Sequence, residues 1–203
     1  MTSAADNLRA GCARISRWFA WGGGALILGS AVLITLDVMF RNLTRSTFFE
    51  SFELSGYAFA ISTSFGLAFA FFSKAHIRIE VVYNYLPRTA RAWLDVLSVL
   101  TLAAIAVTLA YWCTQALLQN VASGARSNSS LGLPIAIPQA IWVLGLAWFA
   151  FVVTATGGVA LARALRGRID AITAELGVST LDEEIAASVD APAIAVAGSE
   201  RKS

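Results

Sequence analysis

The sequence holds one histidine (His76), two cysteines (Cys12 and Cys113) and few charges: Asp, Glu, Lys and Arg make up 14% of 203 residues. A soluble domain carries about 25%. Each shortage excludes a chemistry. One histidine and two cysteines about a hundred residues apart cannot supply the four ligands of a zinc site. The cysteines form no C-x-x-C pair, so dithiol redox chemistry has no place here. Cys113 lies in an apolar run and reads as a small hydrophobe. Without a second histidine, haem between helices lacks paired axial ligands. No nucleophile stands with a base, and no stretch resembles a catalytic elbow or a phosphate-cradling glycine loop. The expectation is a non-enzyme with no catalytic, cofactor-binding or metal-binding residues.

Apolar side chains are plentiful: 57% of the chain is hydrophobic and mean hydropathy is +0.67. Such a chain cannot cover itself with polar groups in water, so membrane lipids are its expected surroundings. Four runs reach the roughly 20 apolar residues that cross a bilayer. They lie at about 18–40, 52–72, 93–118 and 137–161. The expected fold is an all-α integral membrane protein with four transmembrane helices and a short amphipathic segment between helices 2 and 3. The expected organisation is a cytoplasmic N-terminus (1–17), a four-helix membrane domain (18–161) and an acidic, partly disordered cytoplasmic tail (162–203). The first run is too long for a cleaved signal's h-region of about 7–15 residues. "RAGCARIS" lacks the apolar residue of a lipoprotein signal three before Cys12.

The basic residues predict orientation. Arg9, Arg14 and Arg17 precede span one; Lys74, Arg78, Arg88 and Arg91 lie between spans two and three; Arg163, Arg166 and Arg168 follow span four. The other two connections hold only Arg41, Arg45 and Arg126. The positive-inside rule then places both termini in the cytoplasm of a multi-pass inner-membrane protein. These residues are spent on topology, and nothing points to nucleic acid.

The intramembrane acids and small residues are the functional candidates. Asp37 and Arg41 stand at i and i+4, on one helix face. Asp37 is either a proton- or cation-binding carboxylate or half of an end-of-helix pair that fixes span one. The pair is preferred, because paired charge near an interface costs less than a lone central charge. Asp95 is expected to face the headgroups near Arg91. Glu50 and Glu53 precede span two, near its helix dipole and near Arg41 and Arg45. In span two Ala58, Ser62, Gly66 and Ala70 recur every fourth residue. Small residues let helix backbones approach in lipid, so the stripe reads as a packing surface more than a substrate path. Between spans three and four, "SGARSNSSLGLPIAIPQAIW" reads as an ordered loop capping span four, with Pro134 and Pro138 fixing the approach. In "FFSKAHIRIEVVYNYLP", His76 and Glu80 share a helix face, and Pro87 ends the segment. They read as a structural pair or partner contact.

The stretch "AFAISTSFGLAFAFFSKAHIRIEVVYNYLPRTARAWLDVL" resembles the small membrane subunit (DctQ-type) of TRAP transporters, the tripartite ATP-independent periplasmic systems. The pattern falls on Gly66, His76, Ile77, Glu80, Leu86 and Pro87, with Arg41 after span one, Glu53 before span two, and "LGLPIAIPQAIWVLGL" into span four. The likeness covers about Trp18 to Leu161. Family members usually have adjacent acids before span two; here Ser51 and Phe52 separate Glu50 from Glu53. The resemblance implies a scaffold for a large multispan TRAP membrane subunit, on a separate polypeptide, which carries substrate and sodium. It also implies a periplasmic solute-binding protein that delivers a dicarboxylate, another organic acid or a sialic acid. The assembly-interface candidates are Asp37, Arg41, Glu53, Ala58, Ser62, Gly66, Ala70, His76 and Glu80. The alternative is a self-contained proton-coupled transporter, a homodimer using Asp37.

Overall fold

A computed structural model describes residues 2–44, 50–73, 87–129 and 132–167. Four helices make up nearly all of it: α1 (Thr2–Thr44), α2 (Ser51–Phe72), α3 (Arg88–Ser123) and α4 (Ala136–Leu165). No strand occurs among the described residues; an isolated antiparallel bridge joins Arg126 and Pro134. All four helices are long and apolar enough to cross a membrane. A backbone in lipid must satisfy its own N–H and C=O groups, and an α-helix does so within one segment. The expected amphipathic segment, with His76 and Glu80, and the expected acidic tail lie outside the described residues.

α1 has 43 residues, about 64 Å at 1.5 Å per residue. That is twice the roughly 30 Å hydrocarbon core. The basic N-terminal stretch therefore continues the helix of span one. In that extension Cys12 is buried, lining a small cavity with Phe72, Val152 and Thr156.

The helices pack in the spatial order α1–α2–α4–α3, with only a light contact between α1 and α4. A regular seam joins α3 to α4. Ala92, Val96, Val99, Ala103 and Ala106 are buried on α3, at alternating spacings of four and three. Leu146, Ala150, Val153, Gly157 and Ala160 repeat that spacing on α4. This is the heptad rhythm that keeps one seam facing a partner along two near-parallel helices. Small side chains suit it in lipid, where close van der Waals packing replaces the hydrophobic drive.

Helix ends follow from local chemistry. Pro87 caps α3, its carbonyl accepting from Arg91 N–H at 3.1 Å. Gly124 ends α3 in the left-handed region (φ 62°), and Ala125 N–H closes onto Asn120 O at 3.1 Å, a glycine-capped Schellman ending. The connection to α4 is ordered where described. Ser127 N–H donates to Leu133 O at 2.9 Å and the Arg126 guanidinium to Gly132 O at 3.1 Å. Pro138 sits in the first turn of α4, where a missing N–H costs nothing. Asn120 Nδ2 donates to Gln139 Oε1 at 2.7 Å, tying the facing ends of α3 and α4.

Candidate functional site

The candidate residues sit where helices meet. Asp37, in the last turns of α1, is 1% exposed. Its Oδ2 accepts from the Arg41 guanidinium at 3.0 Å and from Ser51 Oγ at 2.7 Å. The i, i+4 pair read from the sequence is thus present. The structure adds Ser51, the first residue of α2. A buried carboxylate needs charge-assisted partners to remain ionised. Asp37 takes one from its own helix and one from the next, so it clasps the end of α1 to the start of α2. Arg41 is 56% exposed and keeps its free face toward the surroundings.

A second clasp lies deeper. Ser62 Oγ donates to Gly23 O on α1 at 2.7 Å. A Cβ on Gly23 would lie 3.1 Å from both Cα and O of Ser62. Glycine is what lets these two backbones touch, and the hydroxyl then bonds a carbonyl across the interface. A third contact reaches from α1 to α4: Trp148 Nε1 donates to Ser16 Oγ at 3.0 Å. Phe19 stacks on Phe65 at 4.7 Å and meets Trp148 edge-on at 5.9 Å. These rings fill the corner where α1, α2 and α4 converge.

The small-residue stripe of α2 divides. Ser62 is buried on α1, whereas Ala58, Gly66 and Ala70 are half-buried. A Cβ on Gly66 would meet nothing within 4 Å. The face toward α4 is set by Ser64 and Ala68, both fully buried. There Gly145 of α4 is the tightest point: a Cβ on it would lie 2.6 Å from Phe65 Cδ1 and 2.9 Å from Ser64 Cβ. Of the four-residue rhythm Ser62 alone is buried, against α1; the buried line toward α4, Ile61, Ser64 and Ala68, runs beside it.

Glu53 lies in the first turn of α2. Its Oε1 accepts from Tyr57 Oη at 2.5 Å. Its Oε2 is shielded from solvent, and the Ser127 and Ser129 hydroxyls face it without closing a well-aligned bond. Glu53 therefore sets the α3–α4 connection against the start of α2. Glu50 caps α2 through its backbone, its carbonyl accepting from Glu53 and Leu54 N–H at 3.1 Å each. Asp95, expected among the headgroups, is 2% exposed and turned into the helix packing. Among the described residues no three of His, Cys, Asp and Glu gather as metal ligands.

Sequence reasoning singled out Asp37, Arg41, Ser62 and Ser64 but missed Ser16, Gly23, Ser51, Gly145 and Trp148. A serine or glycine in an apolar run gives no sign of which neighbour it will touch.

Four apolar helices, bonded to one another through these side chains, define a multi-pass membrane protein. A family model described as tripartite ATP-independent periplasmic transporters, DctQ component, matches residues 30–166. The match takes in more than half of the chain, and the protein belongs to that family: it is the small permease component of a TRAP transporter, in the inner membrane of a bacterium. The family is a transporter component and not an enzyme family. No curated protein and no solved structure matches the chain.

Proposed function

We propose that the chain braces the large membrane subunit of its TRAP transporter and carries no cargo itself. In this reading the large subunit performs sodium-coupled uptake of an organic acid handed over by a periplasmic binding protein. Both termini and the His76–Glu80 segment face the cytoplasm, in keeping with the distribution of arginine and lysine.

The observation that carries the reading is where the polar groups at membrane depth are used. An intramembrane carboxylate is a transport candidate by default. Asp37 Oδ2, however, is held by Arg41 and by Ser51 of the next helix. Ser62 is likewise bonded across a helix contact. A site that loads and releases an ion needs partners that can let go. Groups tied to neighbouring helices favour fixed geometry, which is what a brace requires.

The test is reconstitution into vesicles with an imposed sodium gradient. Chain and large subunit together, supplied with loaded binding protein, should accumulate solute; the chain alone should not. Accumulation by the chain alone, abolished by Asp37→Asn, would establish the self-contained transporter instead. His76→Ala and Glu80→Ala are expected to lower recovery of the two-subunit complex and leave solute affinity of the assembled system unchanged. A changed affinity with normal assembly would remove the bracing role from that segment.

A further inference from the structure

We propose that a groove on the outer side of the α1–α2 contact seats an acyl chain of an anionic phospholipid, with Arg17 holding the phosphate. The groove has room for about 480 Å³ and is lined by Arg17, Ala20, Trp21, Gly24 and Leu28 of α1 and by Phe69 of α2. Its origin is the same glycine run that makes the helix contact. Gly23 lies against Ser62, whereas a Cβ on Gly24 would meet nothing within 4 Å. Successive helical residues point about 100° apart, so the contact at Gly23 leaves Gly24 as a floor beside it. Trp21 and Leu28, 74% and 70% exposed, rise as walls.

Two features select the occupant. The first is charge. Arg17 stands at the groove's basic end, and Arg14 lies one turn further out on the same face. Neither has a hydrogen bond or ion pair among the described residues. Cations at the headgroup level attract anionic lipids, and the adjacent Trp18 and Trp21 carry the indole rings that favour this level. The second is depth. Arg17 to Leu28 spans about 16 Å of helix rise, close to half of the roughly 30 Å hydrocarbon core. A single lipid chain occupies one leaflet, whereas a helix of a partner protein would run the whole span. The proposal rests on α1 crossing the membrane and not on the bracing role of the chain.

Trp21 can report on its own neighbour. The full chain and its Trp21→Phe variant are placed in phosphatidylcholine vesicles, and their difference in fluorescence gives the Trp21 signal. Phosphatidylglycerol or phosphatidylcholine with dibrominated acyl chains is then added at equal mole fraction. One arginine near the surface supports about a fivefold preference for the anionic lipid, so phosphatidylglycerol should quench at about one-fifth the concentration. Arg17→Gln should bring the two lipids to parity. Gly24→Leu should reduce quenching by both at unchanged helix content. Equal quenching of the parent chain by the two lipids overturns the proposal, as does a preference that survives Arg17→Gln. Loss of quenching when the large subunit is bound also overturns it, by showing that protein covers the groove. None of these outcomes depends on solute uptake.

Discussion

The inner helix α4 and the end helix α1 are held in different ways. α4 meets α3 along a dry, repeating seam of alanine, valine and glycine, and 44% of its most apolar window is buried within the chain. α1 has only 11% of the corresponding window buried. Its packing against α2 is set with separated polar points, Asp37 to Ser51 and Gly23 to Ser62, and Ser16 bonds Trp148 of α4. A continuous seam spreads its energy over many small contacts and tolerates the loss of one. α1 packs on one neighbour along its length, with these bonds set into that contact, and leaves the rest of its surface exposed.

That contrast can be broken most severely at its middle joint. Gly145→Val should separate α2 from α4, because even a Cβ collides with Ser64 and Phe65. Overpacking of this kind costs about 1–3 kcal/mol, occasionally more. Equilibrium unfolding in mixed detergent micelles should show the loss, and the two-subunit complex should fall apart on size exclusion. Unchanged unfolding would mean that the joint opens without cost. Next comes Asp37→Ala, which removes a carboxylate accepting two hydrogen bonds. The buried Ser51 bond to the carboxylate is worth about 1.5–3 kcal/mol, and the bond from the exposed Arg41 adds little. Protease cleavage near the end of α1 should accelerate while the α3–α4 pair stays resistant; equal sensitivity of both halves would contradict point fastening. Arg41→Gln should cost less, since the guanidinium is 56% exposed and exposed ion pairs give about 0–1 kcal/mol.

Ser62→Ala is gentler still. Inter-helical hydrogen bonds in membranes average about 0.6 kcal/mol, and the glycine contact beneath remains. The unfolding midpoint should shift slightly, and Gly23→Leu, which drives a side chain into Ser62, should shift it more. A larger loss from Ser62→Ala would put the hydroxyl, not the backbone approach, in charge of the joint. The smallest effect is expected from Trp148→Phe, which gives up the bond to Ser16 and keeps a ring beside Phe19. Its near-ultraviolet circular dichroism should change more than its stability.

The legibility of these features divides along the same line. The Asp37–Arg41 pair could be read because both residues lie on one helix, where i, i+4 spacing fixes their proximity. Ser51 could not, because it reaches Asp37 only through the path of the chain between two helices. Ser62 stood out as part of a rhythm, but its acceptor, Gly23, is one of three consecutive glycines with nothing local to distinguish it. Glu53 was expected to pair with Arg41 or Arg45 or to sit at the N-terminal end of the helix dipole, and it does lie in the first turn of α2. Its further neighbour, the connection between the last two helices, is 70 residues and more away in sequence and could not be read.

By itself the sequence determined that four apolar helices form, roughly where each lies, and which family the chain resembles. Those features depend on residue type and on spacing along one segment. Only the tertiary structure decided the order α1–α2–α4–α3, the choice of Gly23 and Gly145 as contact points, and the inward turn of Asp95. Each depends on which helix stands beside which, and in lipid every helix is apolar all round. Burial pattern alone therefore cannot choose the neighbour; close backbone approach and a few buried hydrogen bonds do.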